Sequence, residues 1–311
     1  MRPETHKRHL ASTIVGNARN HRVDANIRSW GCHARRFARR HTTAIVAAIF
    51  PGCLHLHADA DLMCIGEASI GNGPLNAIAD PLDWKGAAEK LPAAGSQARL
   101  SAGTIEVADA VFCTVAARDW HPPPWPRMAE AGALAISLER LAGLARRRAP
   151  SESLASILFG SIKTPATAFH RIARPRVERF RRWTRARLSH PRRNPAPVDL
   201  LGLGPGLTPS GDDLLCGALV GLRAIGRVDA AEDLYAAIVS TSPASTSLLS
   251  WASLRAAAGG QVGEPLHALV VGVLENRKID RELIDLSRVG HTSGWDALAG
   301  ATMVLQAIVR A

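Results

Sequence analysis

A chain of 311 residues that is 47% hydrophobic is long enough for about two domains, each with a real core. No apolar run approaches the stretch of about 20 residues that a membrane span needs. The five cysteines, Cys32, Cys53, Cys64, Cys113 and Cys216, show neither CxxC nor zinc-finger spacing, and they read as reduced thiols of a soluble, cytoplasmic protein. A net charge of +11 invites a nucleic-acid reading until it is located. Residues 1–41 carry ten Lys/Arg against two acids and residues 171–193 ten Arg against one, which leaves the rest of the chain at −6. The charge thus belongs to an arm and one short segment, and residues 1–41 are expected to form a basic, disordered arm.

Arg35, Arg36, Arg39 and Arg40 precede the apolar run Ala44–Phe50, and HADA follows it, an outline that a secretory leader shares. The β-branched and apolar content of Thr42–Phe50, closed by Pro51-Gly52, reads instead as the first strand of a folded domain. Turn signals at Gly71-Asn72-Gly73-Pro74, Asp80-Pro81, Gly95-Ser96 and Gly103 separate further short strands, so residues 42–125 are expected to be β-rich. His55 and His57 alternate on one of these strands as metal ligands do, but no third ligand stands nearby in sequence, and an exposed strand face is the reading adopted.

Four prolines between His121 and Pro126 exclude regular helix and mark a hinge. Beyond it apolar residues recur at three and four, predicting helices over Met128–Arg148, Ser151–Phe159 and Pro165–Ala173, the last with Thr164 as N-cap. Pro175–Leu188 carries the stripe Val177, Phe180, Trp183 and Leu188 among arginines, a solvated basic face over an apolar seam rather than a nucleic-acid surface, since aromatic residues are not interleaved for base stacking. Helices are also expected at Asp212–Ile225, Asp229–Ser240, Ser247–Ala258, Glu264–Leu274 and Trp295–Arg310. The fold class is therefore α+β, a β-rich N-terminal domain followed by a mainly helical one over 126–311.

The stretch Leu201–Gly217, LGLGPGLTPSGDDLLCG, concentrates the chemistry. Gly202, Gly204 and Gly206 permit a tight turn that exposes backbone amides, and the helix after them points its unpaired N–H groups at whatever occupies the turn, which suits an anion. No Lys follows the last glycine as in a Walker loop, and no strand leads into a GxGxxG fingerprint. A plain alternative is that Ser210 caps the helix, with Asp213 closing a capping box. That explains Ser and Asp but leaves three glycines and Thr208-Pro209 without a role.

Self-alignment places Ser210–Ala218 over Ser293–Ala301, repeating S-G-x-D-x-L-x-G-A. Two helix starts with the same chemistry are expected to converge on one site, with Gly290-His291-Thr292-Ser293 as the second lip. His291 is a candidate acid/base or ligand contact, though a structural role serves as well. Asp212, Asp213 and Asp296 could gather Mg²⁺, and capping explains them equally. Thr246 and Ser250, one turn apart, are placed to present hydroxyls to the same cavity.

GLGPGLTPSGDDLLCG, followed by GHTSGWDALAG, resembles the AllH-like family of oxamate carbamoyltransferase subunits, and the weaker GNGPLNAIAD at Gly71–Asp80 is similar to that family's N-terminal glycine-proline signature. The resemblance implies a cytoplasmic carbamoyltransferase subunit in purine-nitrogen catabolism and allantoin degradation. It would exchange oxamate and carbamoyl phosphate with oxalurate and phosphate, in a heteromeric complex with FdrA-like and AllG-like subunits. Asp213, Asp296 and His291 are the expected catalytic residues. Gly204, Gly206, Thr208, Ser210, Gly211, Asp212, Thr292, Ser293 and Gly294 are expected to hold the anion. Mg²⁺ is the one cofactor entertained, with no ligand set assigned to it. A non-catalytic metabolite-binding or scaffold subunit is the second reading.

Overall fold

Alternating apolar residues build the N-terminal half into a closed sheet. The computed structural model describes residues 23–81, 93–160, 167–190 and 195–309. Its strands are β1 Val23–Gly31, β2 Thr43–Phe50, β3 Cys53–Ala58, β4 Asp61–Gly66, β5 Asn76–Ala79, β6 Gln97–Ser101, β7 Thr104–Val107, β8 Ala110–Cys113 and β9 Arg118–Trp120. They run in the order β5-β4-β3-β2-β6-β7-β8-β1-β9, and β5 also pairs with β1, so the sheet closes into a barrel. One half of β1 lies parallel to β8 over Val23–Asn26 and the other parallel to β9 over Ser29–Gly31. Burial alternates along β6, β7 and β8, and the inward residues, among them Ile27, Val46, Leu54, Leu56, Met63, Ile65, Ile105 and Phe112, form one core.

Residues 23–40 correct the expectation of a disordered arm. Besides β1 they form helix α1, Cys32–Arg40, which buries Ala34 and Phe37 in the barrel core at 0% and 1% exposure. Counting arginines hid the alternation of Ala25 and Ile27 and the i, i+3 pair Ala34 and Phe37, which commit the segment to the sheet. Thr43–Phe50 is accordingly the second strand, paired to β3 and β6. Residues 1–22 lie outside the described residues.

The C-terminal half comprises α2 Ala131–Arg148, α3 Leu154–Phe159, α4 Ala168–Ser189, α5 Ser210–Ala224, α6 Val228–Val239, α7 Leu248–Ala258, α8 Glu264–Leu274, α9 Asp280–Leu286 and α10 Ser293–Val309. The chain is thus α+β, as its sequence suggests. The two helices expected around Pro175 are one, α4, with that proline inside it and Thr167 accepting from the His170 amide as its N-cap. The expected Thr164 cap lies outside the described residues. Val177, Phe180, Trp183 and Leu188 of α4 are buried, while Arg187 and Arg179 find acids: Arg187 is 3% exposed and donates to Asp229 and Asp233 at 2.8 Å, and Arg179 donates to Asp199 at 2.8 Å. Helix α9 escaped the sequence reading because seven residues give too few turns for a periodicity to emerge. Among the described residues no helix is long and apolar enough to cross a membrane.

The turn Gly71–Pro74 locks barrel to helices. Pro74 O accepts from the His33 and Ala34 amides at 2.9 and 3.0 Å, Asn72 O accepts from the Glu264 amide at 2.8 Å, and Asn72 Nδ2 donates to Glu264 Oε2 at 2.8 Å. Leu62 and Leu75 of the barrel half pack on Ala252 of α7, and Arg255 of the same helix donates to Asp61 and to Ala60 O.

Helices α5 and α10, the repeat partners, cross at their glycines. A Cβ on Gly217 would lie 1.7 Å from Ala297 O, and one on Gly300 would lie 1.9 Å from Leu214 O. Position 297 is the repeat equivalent of 214 and position 300 that of 217, so the crossing has a local two-fold symmetry. Gly217→Ala or Gly300→Ala is therefore expected to destabilise the fold by about 1–3 kcal/mol or more in urea unfolding, because backbone has no rotamer with which to yield. Gly143→Ala in α2, where only the end of Arg147 comes within 4 Å, should instead stabilise by about 0.5–1 kcal/mol. Equal responses at the two kinds of position would refute the crossing.

Candidate functional site

Three glycines shape the turn before α5. Gly202, Gly204 and Gly206 have φ of 71°, 121° and 92°, values that a side chain disfavours. A Cβ on Gly202 would also lie 2.2 Å from Ser245 O, and one on Gly204 would lie 2.9 Å from Ser210 N. Pro205–Leu207 forms the exposed tip. Asp212 ties this loop down. It is 1% exposed, its Oδ1 accepts from the Gly202 amide at 2.7 Å, and its Oδ2 accepts from the Thr246 hydroxyl. Ser247 donates to Leu207 O, so the segment before α7 clamps the loop from outside. Burial raises the Asp212 carboxyl above its ordinary range, with Thr246, the Gly202 amide and Ser250 acting against it.

The second motif is built the same way. In the first, Leu203 N donates to Leu200 O at 3.0 Å and Gly211 N to Leu203 O at 2.8 Å. In the second, Val289 N donates to Leu286 O at 3.0 Å and Gly294 N to Val289 O at 3.1 Å. A Cβ on Gly211 would meet Leu200 O at 1.9 Å, and one on Gly294 would meet Leu286 O at 2.5 Å. The repeat therefore extends to the turns, which sequence comparison does not detect because six residues, 204–209, fill the first loop and three, 290–292, the second.

The two helix starts meet. Thr208 Oγ1 and Ser293 Oγ share a hydrogen bond of 2.9 Å. Ser210 is the first residue of α5, preceded by Pro209 at the N-cap, and no side chain caps this helix. The capping-box reading of Ser210 and Asp213 therefore does not apply.

Asp213 and Asp296 occupy equivalent places in the repeat, and each stands beside the serine of the other half. Asp296, 0% exposed, accepts from the Leu154 amide at 2.6 Å through Oδ1, so it holds the start of α3. Its Oδ2 and the Oδ2 of Asp213 are both buried without a hydrogen-bond partner. Burial pushes the Asp296 carboxyl up to about 7, against the pull of the Ser210 hydroxyl, the Leu154 amide and Thr292. Burial also pushes Asp213 well above the carboxylate range; Ser293 and Thr208 oppose this, while the charges of Asp296 and Asp212 add to it. Both carboxyls are therefore held toward their protonated form, which lessens the negative charge at the paired helix starts.

His291 stands apart from the carboxyls, exposed and paired with Glu152. Thr246 and Ser250 both face Asp212: Thr246 donates to its Oδ2, and Ser250, 1% exposed on α7, also acts on its carboxyl. Sequence reasoning missed the Leu154 amide and Ser247, which no spacing ties to either motif. It also treated His55 and His57 as an unsupported pair. The exposed strand face expected for the pair is not found: His55 is buried among Cys53 and Cys64, and the partly buried His57 lines a surface pocket of about 350 Å³ with Arg40, His41 and Gln97. Asp212, Asp213 and Asp296 do not come together as a three-ligand metal group among the described residues.

The raised carboxyl fixes a pH dependence of stability. A group whose folded-state pKa exceeds its unfolded value of 3.8 holds its proton more tightly when folded, so its contribution is complete below pH 3.8 and lost as pH rises through about 7. Unfolding free energy is expected to fall across that window by on the order of 1 kcal/mol per pH unit from this group. Asp296→Asn keeps the shape and the acceptor for Leu154 and should flatten the decline. A decline unchanged in the Asn variant would contradict the assignment.

A search of solved structures finds no match to this chain. Residues 200–305, which carry both motifs and the crossing of α5 and α10, match the family model described as oxamate carbamoyltransferase subunit AllH, and that segment is similar to this family.

Proposed function

We propose that this chain is a subunit of a carbamoyltransferase complex and that the paired helix starts of α5 and α10 receive the anionic part of its substrate. The observation that carries the reading is the Thr208–Ser293 hydrogen bond of 2.9 Å, which brings both motifs and two unpartnered carboxyl oxygens to one place within the family-matched segment. In the reaction, the amide nitrogen of oxamate bonds to the carbonyl carbon of carbamoyl phosphate, the carbon–oxygen bond to phosphate breaks, and one amide proton is released with formation of oxalurate. Gly204 and Gly206 supply backbone that approaches the phosphate or carboxylate closely, Thr208, Ser210, Thr292 and Ser293 supply hydroxyls, and Gly211 lets α5 start against Leu200 O. Gly294 lets α10 start against Leu286 O, and Asp212 fixes the loop. Asp213 and Asp296 orient those hydroxyls and hold a proton near the leaving oxygen. His291, at the rim with Glu152, meets the incoming substrate.

Magnitudes require more than this chain. A helix N-terminus stabilises an anion by ~0.3–1 kcal/mol when exposed and ~2 kcal/mol when partly buried, whereas enzymes lower barriers by ~8 kcal/mol or more. Holding two reactants together contributes roughly 7–11 kcal/mol in a closed pocket. FdrA-like and AllG-like subunits are the proposed source of the remaining walls, in a cytoplasmic complex that serves purine-nitrogen catabolism and allantoin degradation.

The test is to purify the chain with those subunits and follow phosphate release from carbamoyl phosphate in the presence of oxamate. Ser210→Ala should lower ligand affinity or turnover by about tenfold or more, against a stability cost of about 1 kcal/mol if the hydroxyl only makes a hydrogen bond within the fold. Asp213→Asn and Asp296→Asn should keep ligand binding and lose most turnover. Folded variants with unchanged affinity and turnover would overturn the proposal. Lost affinity with intact turnover would make the chain a metabolite sensor of the complex instead.

A further inference from the structure

The barrel lies outside residues 200–305 and holds a cluster that the proposed reaction does not use. Cys53 and His55 are two apart on β3 and project from the face opposite Leu54 and Leu56, which fill the barrel core. Cys64 on β4 is the register partner of His55, between Met63 and Ile65 of the same core, so it stands on that outer face too. The face is nevertheless covered. His55 is 8% and Cys64 6% exposed, and the Phe50 ring lies 5.3 Å from the His55 ring.

Opposite Cys53 in the register is Gly66, where a Cβ would lie 2.7 Å from the Cys53 Cβ and 2.7 Å from Ile70 Cδ1. A side chain at 66 would occupy the room that Cys53 and Ile70 share. One donor atom from each of Cys53, His55 and Cys64 lies within 4.8 Å of the others, and among the described residues no other group of three such side chains does so. Neither cysteine is in a disulfide.

We infer that Cys53, His55 and Cys64 form a Zn²⁺ site, with three protein donors and a fourth position open to water or to a donor atom of a small ligand. Zinc–sulfur and zinc–nitrogen bonds of about 2.3 and 2.0–2.1 Å place tetrahedral donors roughly 3.3–3.8 Å apart. The cluster therefore closes on the ion by side-chain movements of about 1 Å. Two thiolates and an imidazole favour zinc or another soft ion over Mg²⁺ and Ca²⁺. Binding releases the two thiol protons to solvent, so uptake is accompanied by acid release. Placement of all three ligands on adjacent, hydrogen-bonded strands of a closed barrel pre-orders the site, in contrast to ligands on a loop.

The inference is tested on the full chain, reduced and stripped with a chelator. Titration with Zn²⁺ against a chromogenic chelator, and with Co²⁺ by absorption, should show one equivalent bound and a thiolate-to-cobalt charge-transfer band. Cys64→Ser and His55→Gln should each weaken binding by about tenfold or more, since even residues behind the ligands cost that much. Cys113→Ser should leave binding unchanged. Circular dichroism selects the variants that remain folded, and His55→Gln, which keeps both thiols, serves if a cysteine variant does not fold. Absence of the band, binding lost equally in Cys113→Ser, or a Cys53–Cys64 disulfide in a protein that binds no metal after reduction would each overturn it.

Discussion

Two backbone carbonyls seated against two glycines set the geometry of the helical half. Ala297 O fills the place of a side chain at Gly217, and Leu214 O fills that at Gly300. Helices in such close approach have almost no freedom of angle or register, so the starts of α5 and α10 are brought together one turn and more upstream. The Thr208–Ser293 bond and the facing of Asp213 and Asp296 follow from that crossing. The helix pair is accordingly the most extensively packed in the chain among the described residues.

Burial then gives the carboxyls their chemistry. Asp212 is the counterexample within the same turn: both of its oxygens are occupied, by Gly202 and Thr246, and its task is to hold the loop. Asp213 and Asp296 each keep one buried oxygen free. A buried acid with an unused oxygen holds its proton past the usual range, which lessens the charge of an acidic motif at a helix start. An aspartate in the first turn repels an anion when ionised, and desolvation disfavours that ionised form.

The barrel and the helices are joined through short polar and backbone contacts. The Gly71–Pro74 turn presents Pro74 O to α1 and Asn72 to Glu264, so this turn is a structural joint. Glycines on both sides admit this approach: a Cβ on Gly31 at the end of β1 would lie 2.0 Å from Gly73 O, and one on Gly73 would lie 3.4 Å from Gly263 Cα.

The sequence alone determined the α+β class, the positions of long helices such as α2, α5, α8 and α10, and the repeat of Ser210–Ala218 in Ser293–Ala301, because apolar periodicity, turn residues and motif identity are local properties. Tertiary structure decided the rest. Residues 23–40 joined the barrel because their alternation is too short to stand out among arginines, and Pro175 was accommodated inside α4 because packing of Val177, Phe180 and Trp183 outweighs one lost hydrogen bond. Leu154 and Ser247 reached the motifs from 142 and 40 residues away in the chain. Cys53, His55 and Cys64 were brought together by strand register, which no spacing in a single strand encodes. The proton affinity of Asp213 and Asp296 likewise belongs to the fold, since desolvation depends on every element packed around a group and not on its neighbours in sequence.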